Sequence, residues 1–272
     1  MFYYKANMKI INDGSIQSLK SFDLNNTPVL FKKAISNWNA VQNWDLSYLK
    51  SKLKNIQVRL VKGNREQNKP EFITMMLHDY FDYLENPQNE TPLYLKEYNL
   101  FKQAPELKKD VNLKSLFQGQ FLVDHGCWIG PKNAETGLHF DKFNNVLSQI
   151  KGTKIVKLIP KHLKNYAYPS NKLDYFSCLF LVDAFTPNFS LYPRFKEIED
   201  QVITLTLEEG DLVYIPKGWL HQVQSLETTI SITGFMIHPS DLLFKVPFEL
   251  MKHQVHKTGL YKKNNCTCHQ YS

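Results

Sequence analysis

Two histidines and one aspartate have the spacing of a metal site. The segment TGLHFDKFNN, residues 136–145, places His139 and Asp141 two positions apart. In a β-strand such side chains point to the same face, so the imidazole and the carboxylate would project together. A second imidazole, His221, follows in GDLVYIPKGWLHQV, residues 210–223. Two imidazoles and a carboxylate on one face of an octahedron form the facial triad that holds non-haem Fe(II), with positions left open for cosubstrate and oxygen.

A lysine in the following apolar run indicates an anion next to this site. Lys154 begins the segment KIVKLIP and would share a strand face with Val156 and Leu158. Burying an ammonium group there is costly unless an anion accompanies it. The alternative is that the lysine stem lies along the end of the strand and its ammonium reaches solvent.

These residues lie in a region whose pattern predicts β-structure. From about residue 117, short runs rich in Val, Ile, Phe and Thr are separated by turn residues rather than by long helices. This favours an antiparallel barrel or sandwich. A break at Glu209-Gly210-Asp211 predicts a hairpin-like or corner turn between two strands. The predicted strands cover residues 121–129, 145–150, 154–159, 202–207, 211–215 and 229–236.

The residues before this region predict a mixture with helical pieces. Asp45 is a suitable N-cap for a short helix, DLSYLKSKL, whose leucines 46, 49 and 53 recur at helical spacing. A second helix is predicted over residues 71–85, where prolines near its end would stop it.

The end of the chain predicts a last amphipathic helix in PFELMKHQVHKTGLYKK, residues 247–263. Phe248, Met251 and Val255 are spaced to share one face of it. Beyond it, Cys266, Cys268 and His269 together with the helix histidines 253 and 256 form a group of zinc-binding residue types. The alternative is a frayed terminus whose histidines face solvent.

Composition restricts the class of protein. The 272 residues are 43% hydrophobic and 13% aromatic, which excludes a wholly disordered chain. No apolar run approaches the roughly 18 residues that cross a bilayer, so no membrane association is expected. The four cysteines do not form a disulfide framework, and the first residues lack a basic start followed by an apolar stretch. We therefore expect a reduced, cytoplasmic protein.

Longer stretches add a family resemblance to these patterns. WIGPKNAETGLHFDKFNNVLSQIKGTKIVKLIP and EEGDLVYIPKGWLHQVQS resemble the JmjC branch of the cupin-fold, 2-oxoglutarate-dependent oxygenases, and TPVLFKKAISNW and PLYLKEYN extend the resemblance to residues 27–240. Within that branch the sequence is most similar to the factor-inhibiting-HIF asparaginyl hydroxylase and wybutosine tRNA hydroxylase types.

The resemblance implies a mainly β fold, the double-stranded β-helix of the cupin or jelly-roll barrel, flanked by N-terminal helices and a C-terminal helix. The expected organisation is a single structural unit in three parts. Residues 1–115 form a mixed helical and strand segment packing on the barrel, residues 116–240 the barrel itself, and residues 241–272 the C-terminal helix and tail.

The family pattern also implies a role for each site residue. The histidine–aspartate–histidine group would bind iron, and no catalytic side chain beyond the metal ligands is implied. The lysine would pair with the distal carboxylate of 2-oxoglutarate, a point-charge contact suited to an ammonium, while neighbouring polar side chains hold the same cosubstrate. The implied metal ligands are His139, Asp141 and His221, and the implied cosubstrate residues are Lys154, Thr136, Tyr94 and Asn145.

One position departs from the family pattern. Several relatives carry a polar residue, often asparagine, facing the cosubstrate on the strand after the second histidine. Phe235, in the segment ISITGFMI, occupies that place here. The change removes a hydrogen bond and narrows the pocket, which affects the pose of the cosubstrate rather than the class of reaction.

The implied activity is that of a dioxygenase using Fe(II), 2-oxoglutarate and O2. It would hydroxylate a C–H bond of a protein side chain or an RNA base and release succinate and CO2. If the hydroxylated carbon bears nitrogen, the product can fall apart, which is demethylation. The alternatives are a cupin metalloenzyme of another reaction class, which usually has an additional ligand, and a non-catalytic binding module, against which the intact triad argues.

Charge and the last helix bear on partners. The net charge is +7, and arginine stands only at positions 59, 65 and 194. Lysine-rich charge suits attraction to phosphates without base readout, so it favours an RNA or an acidic protein, although a solvated surface has the same composition. The apolar face of the last helix needs a cover, either the chain itself or the same helix of a second copy in a homodimer.

Overall fold

The computed structural model describes residues 8–12, 27–63, 71–87, 91–113, 120–263 and 265–267. Fourteen strands lie in these ranges, and they form two sheets. The strands are β1 (Lys9–Ile11), β2 (Val29–Phe31), β3 (Gln57–Lys62), β4 (Glu71–Met76), β5 (Leu93–Tyr98), β6 (Phe121–Gly130), β7 (Glu135–Asp141), β8 (Asn144–Lys151), β9 (Lys154–Ile159), β10 (Ser177–Leu179), β11 (Ile203–Leu207), β12 (Leu212–Ile215), β13 (Leu220–Ser225) and β14 (Thr229–Ile237).

Short helices lie between the strands and after the last strand. Within the described ranges the 3₁₀ helices are Pro105–Asp110, Lys161–Ala167 and Pro193–Gln201. The α-helices are α1 (Asn39–Asn43), α2 (Leu46–Lys52), α3 (Leu77–Glu85), α4 (Leu100–Gln103), α5 (Pro239–Phe244) and α6 (Val246–Lys257).

The two sheets carry the architecture. A nine-stranded sheet has the order β1-β2-β12-β8-β14-β6-β5-β3-β4, and a five-stranded sheet has the order β10-β7-β13-β9-β11. Apart from the parallel pair β1–β2, the paired strands are antiparallel. The mainly β fold is therefore confirmed, and its arrangement is that of a jelly-roll barrel with a few helices outside.

Apolar residues fill both faces of the larger sheet. One cluster draws Leu147 and Val213 from the nine-stranded sheet and Val156 and Val223 from the five-stranded sheet, so it lies between the two sheets. A second, larger cluster joins the outer face of the nine-stranded sheet to helices α1 to α3. Successive side chains along a strand point to opposite faces of the sheet, and here both faces are covered by apolar clusters. The sequences of these strands are therefore continuous apolar runs.

The first predicted helix is confirmed, and the second is half wrong. Asp45 caps α2 by accepting a hydrogen bond of 2.7 Å from the Tyr48 backbone N–H. Residues 71–85 do not form one helix, because Glu71–Met76 is strand β4 and only Leu77–Glu85 is helical. The strand forms since β3 offers it a full antiparallel ladder over all six residues.

The turn at residues 208–211 is a corner rather than a hairpin. Strand β11 ends in the five-stranded sheet and β12 begins in the nine-stranded sheet. Gly210 has φ of +83°, and a Cβ there would lie 2.4 Å from the Ser36 hydroxyl oxygen. A side chain at this position would therefore meet both backbone strain and a clash.

The C-terminal helix lies where the pattern predicts it, and its apolar face is exposed. Phe248, Met251 and Val255 on α6 are 53%, 55% and 39% exposed. After the helix, Cys266 pairs with Leu173 in an isolated parallel bridge, which holds the tail against the loop before β10. In the described part of the chain no helix has the length and apolar character of a membrane span.

Candidate metal centre

Three neighbouring strands of the five-stranded sheet carry the predicted metal ligands and the lysine. In the sheet register His221 on β13 lies opposite His139 on β7 and opposite Leu158 on β9. Asp141 ends β7 two positions after His139, and Lys154 begins β9. The spacing of two along β7 therefore places imidazole and carboxylate on one face, as predicted from the sequence.

The three side chains meet in one place. The Nε2 atom of His139 lies 3.7 Å from Oδ1 of Asp141, and the Nε2 atom of His221 lies 3.4 Å from Oδ2 of the same carboxylate. The two imidazole rings are 4.2 Å apart between centroids. One donor atom from each residue falls within 4.8 Å of the others, and no second group of this kind occurs in the described ranges.

Backbone carbonyls fix the orientation of both imidazoles. His139 Nδ1 lies 2.8 Å from the Gly137 carbonyl oxygen, and His221 Nδ1 lies 3.1 Å from the Trp219 carbonyl oxygen. Because a carbonyl oxygen only accepts hydrogen bonds, each neutral ring carries its proton on Nδ1 and presents the lone pair of Nε2 to the centre.

Burial sets the charge states of these groups. Burial raises the pKa of Asp141 to about 6, while the neighbouring His139 and a hydrogen bond from Asn145 oppose the increase. Burial, reinforced by His139, holds the pKa of His221 well below its usual value. Near pH 7 the carboxylate is therefore ionised and the His221 imidazole neutral, which are the forms that bind a metal ion.

The donor set fits Fe(II). Two imidazole nitrogens and one carboxylate oxygen converge from one side, which is the composition of the facial triad, and they leave the other side open toward a cavity. His139, Asp141 and His221 could therefore hold an iron ion.

Asn145 serves the carboxylate of this group. Its amide Nδ2 donates a hydrogen bond of 2.8 Å to Asp141 Oδ2. Its Oδ1 atom is buried and has no hydrogen-bond partner within the described part of the chain. Since an unsatisfied buried acceptor is costly, this oxygen could accept a hydrogen bond from a bound group that carries a donor.

A buried ammonium lies further along the same cavity. Lys154 is 1% exposed, and its Nζ donates a hydrogen bond of 3.1 Å to the Tyr94 phenol oxygen. Burial lowers the pKa of Lys154 to about 7, and the charge of Lys96 acts in the same direction. The ammonium does not reach solvent at the strand end, so the alternative that the sequence left open does not apply.

One cavity of about 450 Å³ connects the metal ligands with the lysine. Phe235 also contributes to its wall, and in the sheet register it lies opposite Asn145 on β8 and Asp124 on β6. All seven residues that the sequence singled out for the site line this cavity: Tyr94, Thr136, His139, Asp141, Asn145, Lys154 and His221.

The sequence reasoning missed several residues of the cavity wall. Lys96 lies two positions after Tyr94 on β5, so alternation along the strand could have placed it on the same face. Glu97, Asp174 and Thr267 also line the cavity, and no spacing pattern points to them. Glu97 lies on an irregular strand, Asp174 in a loop and Thr267 in the C-terminal tail.

The described cysteine and histidine residues of the tail do not extend this centre. His256 is buried, and its Nδ1 lies 2.7 Å from the Tyr261 carbonyl oxygen. Cys266 is buried in the bridge to Leu173. Cys268 and His269 lie outside the described residues, so the zinc hypothesis stays untested.

Comparison with known proteins relates the whole region to one family. Residues 16–239 match the family model described as "Cupin-like domain". The chain is 29% identical over 79% of its length to "Lysine-specific demethylase JMJ30" of Arabidopsis thaliana, and 27% identical over 76% to "Lysine-specific demethylase 8" of Xenopus tropicalis. These alignments cover 51% and 47% of the two relatives, so the chain spans about half their length.

A shorter relative is covered almost completely. The chain is 28% identical to "JmjC domain-containing protein A" of Dictyostelium discoideum over 78% of its own residues and 88% of that protein. The match to the family model, residues 16–239, therefore includes the candidate centre and every described strand except β1.

Proposed function

Because the chain belongs to the cupin-like domain family, we propose that it is an Fe(II)- and 2-oxoglutarate-dependent dioxygenase of the JmjC type. It hydroxylates a C–H bond of its substrate with O2 and releases succinate and CO2. The observation that carries the proposal is that one cavity contains both the His139, Asp141 and His221 group and the buried ammonium of Lys154. A metal site alone fits many reactions, whereas a metal site with an enclosed cation fits a chelating dicarboxylate.

The chain's own residues would position the reactants. The imidazoles of His139 and His221 hold the metal through Nε2, and Asn145 orients the carboxylate of Asp141. Bound iron with oxygen supplies the oxidation of the C–H bond. Lys154 binds the distal carboxylate of 2-oxoglutarate, with Tyr94 beside it.

Two further residues complete the cosubstrate pocket. Thr136 is 7% exposed and lines the cavity, within reach of the cosubstrate according to the family pattern. Phe235 supplies an apolar wall where the family pattern implies a polar residue. Both lie within paired strands, which hold their backbone in place.

For the substrate we propose a protein side chain. Two of the relatives are named lysine-specific demethylases, and these names refer to those proteins. The alternative substrate is an RNA base, as in the wybutosine tRNA hydroxylase type. The alternative reaction is removal of a methyl group. A cytoplasmic location stays a prediction from the sequence.

The proposal is tested by succinate formation. Purified protein is incubated with Fe(II), ascorbate and 2-oxoglutarate, and succinate is followed by NMR with and without a protein extract. We expect succinate from the parent, stimulated by the extract, and none from Asp141→Ala. Another turnover product without succinate would indicate a different cupin metalloenzyme, and metal binding without turnover would indicate a binding module.

We also propose a homodimer through the C-terminal helices. The apolar face of α6 carries three exposed side chains, and Leu243 and Phe244 on α5 add two more at 69% and 78% exposure. Exposed apolar side chains at this density are typical of an interface. A two-fold contact would cover the same residues on both copies.

A further inference from the structure

Strand β5 breaks its regular geometry beside the cavity. Glu97 has a positive φ of +55°, an unusual value for a residue with a side chain. The pairing of β5 with β6 shifts register between Leu95 and Tyr98, which encloses this residue. Such a conformation costs free energy and persists only where the surrounding structure supports it.

The irregularity changes which side chains face the cavity. In a regular strand, Lys96 and Glu97 would point to opposite faces of the sheet. Here both residues line the cavity, as Tyr94 does. A bulge of this kind redirects one side chain, and the redirected side chain is the carboxylate of Glu97.

The neighbouring strand is built to accept this backbone. Gly126 on β6 faces Glu97, and a Cβ at position 126 would lie 2.9 Å from the Glu97 Cα. Backbone atoms cannot yield as a flexible side chain would, so a glycine is needed here. The unusual geometry of Glu97 is therefore supported by a second position in the sheet.

Glu97 and Asp174 line the same cavity as the candidate metal ligands. Asp174 is held in place because it accepts hydrogen bonds from the Ser177 hydroxyl and the Thr267 hydroxyl. Asp124, which is exposed, adds a third carboxylate to the same wall.

Aromatic rings complete this part of the cavity. Phe143 and Phe176 have ring centroids 6.1 Å apart, and both line the cavity together with Tyr175. Apolar rings suit the methylene stem of a long side chain whose charged end needs a counter-ion. The exposed carboxylates of Glu97 and Asp124 repel the phosphates of a nucleic acid.

From this arrangement we propose that Glu97 is a specificity-determining residue that selects a cationic side chain, such as that of lysine, for presentation to the metal. The inference rests on the proposed function and specifies its substrate class. Glu97 acts by pairing with the substrate cation, while the aromatic residues enclose its stem. An RNA substrate is disfavoured by the same carboxylates.

The test measures binding without turnover. The protein is loaded with Mn(II) and 2-oxoglutarate without oxygen, and two fluorescent nonapeptide pools with random flanks are titrated by anisotropy. One pool has lysine at its centre, and the other has norleucine, which has the same stem without the ammonium. We expect the parent to bind the lysine pool at least about tenfold more tightly, which corresponds to about 1.4 kcal/mol.

Variants assign this preference to Glu97. Glu97→Gln keeps the shape of the side chain and should lose most of the preference, and Glu97→Lys should reverse it. The matched control is Glu197→Gln, which changes an exposed glutamate outside the cavity and should keep the preference. Thermal melting verifies that each variant is folded.

Three results would overturn the inference. The first is equal affinity of the parent for both pools, including no binding of either pool. The second is an unchanged lysine preference in both Glu97 variants. The third is tighter binding of a single-stranded RNA pool, with an affinity that neither Glu97 variant changes. Succinate formation is measured separately. If the parent forms no succinate but still prefers the lysine pool, the proposed oxygenase activity is refuted and the role of Glu97 is retained.

Discussion

The buried ammonium of Lys154 donates a 3.1 Å hydrogen bond to the phenol oxygen of Tyr94, from strands in different sheets. The phenol oxygen accepts a hydrogen bond from one of the three N–H donors of the lysine, and it does not neutralise the positive charge. The cavity beside them is therefore suited to an anion, and this pair offers the most direct tests of the proposed cosubstrate.

Replacing the ammonium should weaken 2-oxoglutarate binding strongly. A charge-assisted contact in a desolvated site contributes about 2–4 kcal/mol, so we expect Lys154→Met to raise the dissociation constant roughly 30- to 1000-fold. Calorimetry with Mn(II)-loaded protein measures the constant. Lys157→Met is the matched control, because that lysine lies on the same strand and bonds the Thr204 hydroxyl at the surface. Equal titration curves for Lys154→Met and the parent would refute the assignment.

The affinity for 2-oxoglutarate should fall as the pH rises above about 7. Burial lowers the pKa of Lys154 to about 7 in the free protein, and a bound anion favours the protonated form. Binding then takes up a proton, and the affinity decreases by up to about tenfold per pH unit between pH 7 and 9. Calorimetry across this range measures the slope. A flat profile in the parent would contradict the prediction, and Lys154→Arg should give one if it binds.

The Lys154 ammonium should also make the free energy of unfolding depend on pH. A lysine in the unfolded chain has a pKa of about 10.4, so the unfolded state binds more protons than the folded state from about pH 7 to 10. This residue alone therefore makes the ligand-free protein more stable as the pH rises through that window. Saturation with 2-oxoglutarate should reduce the trend, and denaturant titration measures both slopes.

Metal ions should stabilise the parent but not a ligand variant. Binding at a concentration of 100 times the dissociation constant stabilises the folded state by about 2.7 kcal/mol. We expect Mn(II) to raise the melting temperature of the parent and to leave that of Asp141→Ala unchanged, with loss of succinate formation in the same variant. Asp82→Asn, a surface acid paired with Lys50, is the control that should respond like the parent. A full metal response in Asp141→Ala would exclude this carboxylate as a ligand.

The oligomeric state should depend on the C-terminal helix. Light scattering should give about twice the chain mass of 31.9 kDa for the parent, and a mass near that of one chain for Met251→Glu. The variant places a charge within the exposed apolar face, which a two-fold contact would bury. Lys257→Glu introduces a carboxylate on the other side of α6 and should stay dimeric. A monomeric parent at micromolar concentration would refute the dimer.

Sequence periodicity predicted those parts of the molecule that follow regular strands. The spacing of His139 and Asp141 placed them together because strand β7 is regular at that point, and the β9 prediction of residues 154–159 matches Lys154–Ile159. His221 was predicted from its segment, residues 210–223, and not from local spacing, since it comes from another strand.

Irregular backbone and long-range pairing limited the rest. Residues 71–76 form a strand only because β3 lies beside them, and a local pattern does not contain its partner. The corner at Gly210 depends on which sheet each strand joins. Glu97 reaches the cavity through a backbone conformation that alternation rules do not anticipate.

The order of strands in the larger sheet has a consequence for how the chain tolerates shortening. Strands β2 and β5 flank the segment β12-β8-β14-β6 on its two sides. A chain beginning at residue 116 would leave β12 and β6 as open edges, whose unpaired backbone groups template aggregation. It would also uncover Lys154 by removing Tyr94. The residues before the barrel are therefore part of its solubility as well as of its site, and a truncated chain should precipitate rather than fold as a smaller enzyme.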